Sequence, residues 1–244
     1  MKFSIITISY NSEKTIARAI SSVLGQEVAP YEYIIVDGNS SDSTCSIAES
    51  FQSEFEEKKI IYRIISEPDK GIYDAMNKGI QLSSGDVIGM INSDDWYEPI
   101  AIRVMNKAFE EKSSIAMAYA DIRIHAKNKV FIKRSKYDKF PTSRHWNHPT
   151  TFIKREVYNR FKYNNKTIFD DWDLILRIRK ASLPYIIIPE VLANFSFGGA
   201  SNARSFKKTI QRIRLKNKIF KQNGYTWLHV FDSAFIEIAK YILG

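Results

Sequence analysis

Two adjacent carboxylates, Asp94 and Asp95, follow an apolar run over 87–91 in the segment Asn92-Ser93-Asp94-Asp95. Neighbouring carboxylates repel, and burying them costs desolvation unless a cation or ligand hydroxyls compensate. Hard divalent ions take oxygen ligands and bridge carboxylates to diphosphates. The pattern therefore offers Asp95 as a ligand for Mn²⁺ or Mg²⁺, with Asp94 beside it for the metal or a ribose. Taken alone, such a pair is more often a solvated loop with a cap for the helix after it. A third acid, Asp37, ends an apolar run over 31–36, and Thr7, Ser9, Tyr10 and Asn11 end another over 3–9.

These side chains converge only if a scaffold brings strand ends together. The stretches 3–9, 31–36, 60–65 and 87–91 are apolar and β-branched, and they alternate with helical patterns. Ile16, Ala19, Ile20 and Val23 share a helix face after a cap at Ser12. Ile47, Ala48, Phe51 and Phe55 follow a cap at Ser41 or Asp42, and Ile72, Met76 and Ile80 share a face within 71–82. This order predicts βαβ units and a mostly parallel sheet covered on both faces, an α/β/α sandwich. Ligands of such sheets bind beyond the carboxyl ends of the strands. There Asp37 is placed to accept from a base imide N–H, and Tyr10 to stack on a base or ribose. The plainer alternative for Asp37 is a turn residue before Gly38. The second half is less regular. It reads as a helix over 99–111, a strand over 115–124, a loop or edge hairpin over 125–150, a helix over 170–181 and a strand over 185–188. A glycine-containing loop at 195–201 and two helices, about 204–222 and 226–242, complete it.

The chain has 244 residues, 44% hydrophobic and 26% charged, which excludes disordered and disulfide-dense classes and allows a full core. A net charge of +9 predicts a negatively charged partner. Cys45 is the one cysteine, so no disulfide forms within the chain, as suits a reducing compartment. The N-terminus does not read as a secretory signal, and no stretch reaches the ~18 apolar residues of a membrane span. The expected location is cytoplasmic. After the first strand stands Ser9-Tyr10-Asn11-Ser12-Glu13, with no glycine, and no Walker lysine turn exists. A nucleotide diphosphate would not be cradled by a helix N-terminus here, which strengthens the case for a metal.

Five segments in order resemble the family-two glycosyltransferases of the GT-A fold. They are Ile5-Ile6-Thr7-Ile8-Ser9-Tyr10-Asn11, Ile20-Ser21-Ser22-Val23-Leu24-Gly25-Gln26, Ile34-Ile35-Val36-Asp37-Gly38-Asn39-Ser40-Ser41-Asp42-Ser43-Thr44, the run from Ser66 to Gly79, and Asn92-Ser93-Asp94-Asp95. The likeness spans roughly residues 3–200. It implies transfer of a hexosyl or N-acetylhexosaminyl group from a nucleotide-diphosphate donor, usually UDP-linked, with inversion at the anomeric carbon. The implied setting is bacterial surface-polysaccharide biosynthesis, of O-antigen or capsule type, on a lipid-linked glycan. Asp37 matches the base-contacting Asp, and Asp94 and Asp95 match the metal and ribose motif. Ser93 stands where the Asp-X-Asp form has its first acid, which leaves Asp95 as the direct metal ligand. Asp69 and Lys70 precede the helix that carries Asp74 and are placed to form a lip around base and ribose. Inversion needs a general base for the acceptor hydroxyl. Asp171, in Phe169-Asp170-Asp171-Trp172-Asp173, matches it, with Asp170 as the nearby substitute; the alternative is helix caps and first-turn charges. His148 falls in a segment that implies contact with diphosphate, metal or acceptor, or else packs as an ordinary histidine. Gly198, Gly199 and Ser201 match a loop that closes over phosphates or acceptor, or form a turn that needs positive φ.

The expected division is a glycosyltransferase domain over 1–203, with a donor half to about 98 and an acceptor half after it, and a helical extension over 204–244. The extension carries Arg204, Lys207, Lys208, Arg212, Arg214, Lys216, Lys218 and Lys221, with Phe206, Ile210, Ile213 and Phe220 on one stripe. An aromatic-rich helix follows. Together they read as a peripheral contact with an anionic membrane surface at the inner face of the cytoplasmic membrane, or as helices packing on the core or a second subunit in a homodimer. Two rival classes are a sugar-nucleotide-binding protein without turnover and a basic nucleic-acid binder. The second lacks a recognition motif, so no nucleic acid is expected.

Overall fold

The computed structural model describes residues 1–127, 129–197 and 205–243. Its first strand, β1 (Phe3–Ser9), is buried along its whole length. β2 (Glu32–Asp37) and β4 (Val87–Asn92) flank it in parallel, and β3 (Ile61–Ser66) pairs in parallel with β2. Alternation along the strands feeds two cores. Phe3, Ile5 and Ile35 pack with Ile16, Ile20 and Val23 of helix α1 (Ile16–Leu24). Ile6, Ile8, Ile34 and Val36 pack on the other face with Tyr73, Met76 and Ile80 of α4 (Ile72–Leu82). Between them run α2 (Thr44–Glu49) and α3 (Gln52–Glu57). The expected single helix thus divides at Phe51. Ser12 is not a side-chain cap: its hydroxyl lies 2.8 Å from that of Ser93, while its carbonyl accepts from the amides of Thr15 and Ile16. Asp42 does cap its helix, accepting from the Thr44 amide at 3.0 Å.

The second half extends the same sheet. In chain order come β5 (Trp96–Tyr97), α5 (Ala101–Glu111), β6 (Met117–Ala126), β7 (Lys129–Lys133), β8 (Phe152–Lys154), α6 (Arg155–Arg160), α7 (Asp170–Lys180) and β9 (Tyr185–Ser196). The strand order is β3-β2-β1-β4-β8-β6-β9-β5, with β7 hairpinned onto β6. β8 runs antiparallel to both β4 and β6. Its Phe152 ring occupies the space over Gly89, where a Cβ would sit 2.3 Å from it. β9 is parallel to β6 and runs eight residues past the expected end, because pairing with β6 and β5 continues beyond Pro189.

Two C-terminal helices, α8 (Phe206–Gln222) and α9 (His229–Leu243), form a hairpin. Phe220 joins the core through Trp172 of α7, at 6.1 Å between rings. The buried face of α8 is Thr209, Arg212, Lys216, Ile219 and Phe220; of the stripe read from the sequence Phe220 is buried, Ile210 and Ile213 are half-buried and Phe206 is exposed. Glu237, buried on α9, lies 2.6 Å from Lys216 and 3.6 Å from Arg212 of that face.

Candidate functional site

The sheet order sets β2, β1 and β4 side by side, so their carboxyl ends share one edge. Asn11 and Asn39 take left-handed backbone just after two of these strands, which Asn tolerates better than most residues. The loops are knitted together: Asn11 Oδ1 accepts from the Ser41 amide at 2.9 Å, and the Asn11 amide donates to Ser40 Oγ at 2.8 Å. Beneath them Asp37 is fully buried. Burial pushes its carboxyl up, but donors from Ser40, Ser66 and Ser9 outweigh that and hold it below the usual range. A base imide reaches this carboxylate only if Ser40 or Ser66 yields. Thr7 lies deeper still and accepts from the Tyr33 hydroxyl at 2.9 Å. Tyr10 is 65% exposed. A Cβ built on Gly38 would meet Asp69 Oδ2 at 2.7 Å and the Tyr10 ring at 3.4 Å. Tyr10 and Asp69 therefore close around Gly38, the residue after Asp37. Asp69 is fixed by the Gly71 amide at 2.7 Å, and exposed Lys70 follows it on the rim.

Asp94 and Asp95 turn out of β4. Asp95 is fully buried; its Oδ1 accepts from the Ser196 amide at 2.9 Å, while its Oδ2 is buried with no hydrogen-bond partner. Burial, then the charge of Asp94, push its carboxyl well up, against weaker opposition from Ser196 and Arg18. Burial raises Asp94 as well. An orphaned carboxylate oxygen beside a second carboxylate fits a divalent cation, whose hard oxygen preference both satisfy. Among the described residues no third acid, His or Cys joins them.

Sequence reasoning missed the side chains that brace this turn. Arg18 donates to the Asp94 carbonyl at 2.7 Å and to Ser196 Oγ at 3.1 Å, and lies 3.7 Å over the Trp96 ring. Trp96 in turn rests against His125, which bonds Asn194 at 2.8 Å. Arg18 reads in sequence as an ordinary exposed helix charge, and no local pattern signals its role.

On α7 the two acids separate by function. Asp170 is buried, and its carboxylate accepts from the Lys166 amide at 2.5 Å and from the Thr167 amide and hydroxyl at 3.0 and 2.7 Å. It anchors the turn into the helix, with both oxygens engaged. Asp171 is half-buried, with Oδ1 on the Trp172 amide at 2.7 Å. Its charge reaches three neighbours. Burial pushes the Tyr73 phenol up, and Asp171 adds to that; burial and then neighbouring Tyr158 push Tyr163 up, with a smaller addition from Asp171. Burial pushes His148 down, and Asp171 opposes it. His148 Nε2 is buried without a partner. Its turn, His148–Thr150, packs on β4, so His148 lies between the strand that leads to Asp94 and the acid at the start of α7. Gly198, Gly199 and Ser201 fall outside the described residues.

The profile of the Glycosyl transferase family 2 domain matches residues 4–182. The chain belongs to that family. A relative from Mycobacterium tuberculosis, a PGL/p-HBAD biosynthesis glycosyltransferase, is 28% identical over 224 residues, covering 89% of this chain and 86% of its own. Chondroitin synthase of Escherichia coli is 33% identical over 120 residues, 49% of this chain and 17% of the synthase. Among solved structures, S. aureus TarS 1–349 in complex with UDP-GlcNAc aligns at a TM-score of 0.72 with 16% identity, over 100% of this chain and 73% of that one. Mannosyltransferase PcManGT from Pyrobaculum calidifontis, in complex with GDP-Man and Mn²⁺, aligns at 0.69 with 14% identity, over 98% and 70%. These likenesses establish the GT-A fold. The glycosyltransferase thus has Asp37, Asp94 and Asp95 at the ends of β2 and β4, and Asp170 and Asp171 at the start of α7.

Proposed function

We propose that this glycosyltransferase moves a sugar from a UDP-class donor to a hydroxyl of a growing, lipid-linked glycan, with inversion at the anomeric carbon. The reading places the reaction in the cytoplasm, in surface-polysaccharide assembly. The observation that carries it is the buried, partnerless Oδ2 of Asp95 beside Asp94. Tyr10 and Asp69, which meet around Gly38, flank the base and ribose. Asp95 and Asp94 would hold a divalent cation, which would supply positive charge for the leaving diphosphate. Arg18 keeps the turn that carries both acids in place through the Asp94 carbonyl. Asp171 takes the acceptor proton while the acceptor oxygen bonds the anomeric carbon and the bond to the diphosphate breaks. The Trp172 amide holds one oxygen of Asp171, and the Tyr73 phenol lies near the same carboxyl. His148, kept neutral by burial, orients the acceptor or the diphosphate between the two acid sites.

The test is UDP binding by calorimetry, with Mn²⁺ and with excess EDTA, followed by turnover of UDP-sugars on lipid-linked acceptors. Binding that EDTA abolishes supports the acid pair as the metal site. Binding indifferent to metal removes Asp95 from its role. Failure to bind UDP, GDP or dTDP overturns the donor assignment.

A further inference from the structure

The last helix of the chain is inside out. Its buried face carries His229, Asp232, Ser233 and Glu237, with Ile236. Its exposed face carries Phe231, Phe235 and Ile238, spaced four and three apart on one stripe. Trp227 and Leu228 precede them, and Tyr241 follows; all six are 42–63% exposed. The buried charges are matched by partners on the body of the protein and on α8. Glu237 pairs with Lys216, and Asp232 accepts from Arg144 at 2.6 Å and from Thr142 Oγ1 at 2.8 Å. A helix in contact with water on its outer face carries the reverse polarity. A contiguous apolar patch of this kind marks a docking surface.

Charge selects the occupant. Between residues 205 and 243 the acids are Asp232 and Glu237, and both are buried. The exposed charges described there are Lys207, Lys208, Arg214, Lys218 and Lys221. Lys207, Arg214, Lys218 and Lys221 follow spacings of seven, four and three, which puts them on the face of α8 opposite buried Arg212 and Lys216. A second copy would set like charge against like. An anionic lipid surface instead offers apolar depth for the aromatic side chains and phosphates for the lysines. Among the described residues no helix is long and apolar enough to cross a membrane, so the hairpin would lie in the surface plane. We infer that the α8–α9 hairpin docks this protein on an anionic lipid bilayer and buries the Phe231–Phe235–Ile238 stripe in it. The inference stands apart from the glycosyl-transfer reading and does not depend on it.

The experiment is co-sedimentation of the full chain with vesicles of phosphatidylcholine alone or mixed with phosphatidylglycerol. The expected result is binding to the mixed vesicles that weakens with salt. Lys218→Gln with Lys221→Gln should lower the partition coefficient about 30-fold, at roughly fivefold per charge. Phe231→Ser with Phe235→Ser should lower it more than about tenfold, with the thermal melt unchanged. Total tryptophan emission should shift to the blue on vesicle addition, because Trp227 is exposed in water whereas Trp146 and Trp172 are already buried. Absence of binding to anionic vesicles overturns the inference, as does equal binding to both vesicle types. So does a concentration-dependent dimer in sedimentation velocity that the two Phe substitutions convert to monomer, because that outcome assigns the stripe to a second copy.

Discussion

Asp95→Asn should stabilise the protein when metal is withheld and disable it when metal and donor are supplied. The wild-type carboxylate is fully buried, with one oxygen on the Ser196 amide and the other without a partner. The amide keeps the shape and the Ser196 bond but sheds the charge. Leaving a buried polar group unsatisfied costs about 1–3 kcal/mol, and more when it is charged. In a chain of this size 1 kcal/mol moves the melting temperature by about 2–4 °C. In EDTA at pH 7.5 the variant should therefore melt roughly 2–10 °C above wild type. The pH dependence has a definite sign. An unfolded Asp titrates near pH ~3.9. Burial and Asp94 raise the folded value well above that, so the folded state holds a proton that the unfolded state has lost. Wild type loses stability as pH rises from about 4 through the raised value, whereas the Asn variant keeps only the smaller loss that buried Asp94 contributes. The gap should close below about pH 4. With Mn²⁺ and UDP at 100 times Kd, wild type should gain about 2.7 kcal/mol, and the variant little. The order of the two melting curves should then reverse. A variant that melts at or below wild type in EDTA, or that gains the same shift from Mn²⁺ and UDP, would refute the reasoning.

Asp171→Asn should leave UDP affinity unchanged and reduce kcat by about 10²–10⁴-fold, the range of a lost general base; wild-type turnover would move the proton acceptor elsewhere. Gly89→Ala drives a methyl group into the Phe152 ring, within 2.3 Å. It should destabilise by about 1–3 kcal/mol in chemical denaturation, and Phe152→Leu on the same background should recover part of that loss.

The βαβ order was legible because its signals are local. Strands 3–9, 31–36 and 87–91 are apolar runs and the helices between them have a 3.6-residue period, so the edge holding Asp37, Asp94 and Asp95 follows from sequence. Elements too short to show a period were not legible, such as β8 (Phe152–Lys154), which joins the two halves of the sheet. Nor was the length of β9, whose later residues are ordered by partners on β6 and β5.

Within the site, residue type and position came from the sequence, but each group's part depended on neighbours far along the chain. Sequence offered Asp170 and Asp171 as near equivalents; the turn at 166–167 consumes the first and leaves the second. The Arg18 contact with Asp94 spans 76 residues, and the Ser196 amide reaches Asp95 across 101. The same holds at the C-terminus. Sequence showed a basic helix followed by an aromatic one, while the burial of Glu237 with Lys216 decided which face of each looks outward. Sequence by itself determined the family, the order of elements and the strand ends that bear acids. The tertiary structure decided which acids remain unpaired, because a carboxylate's protonation and reach depend on burial and on donors that only folding brings within 3 Å.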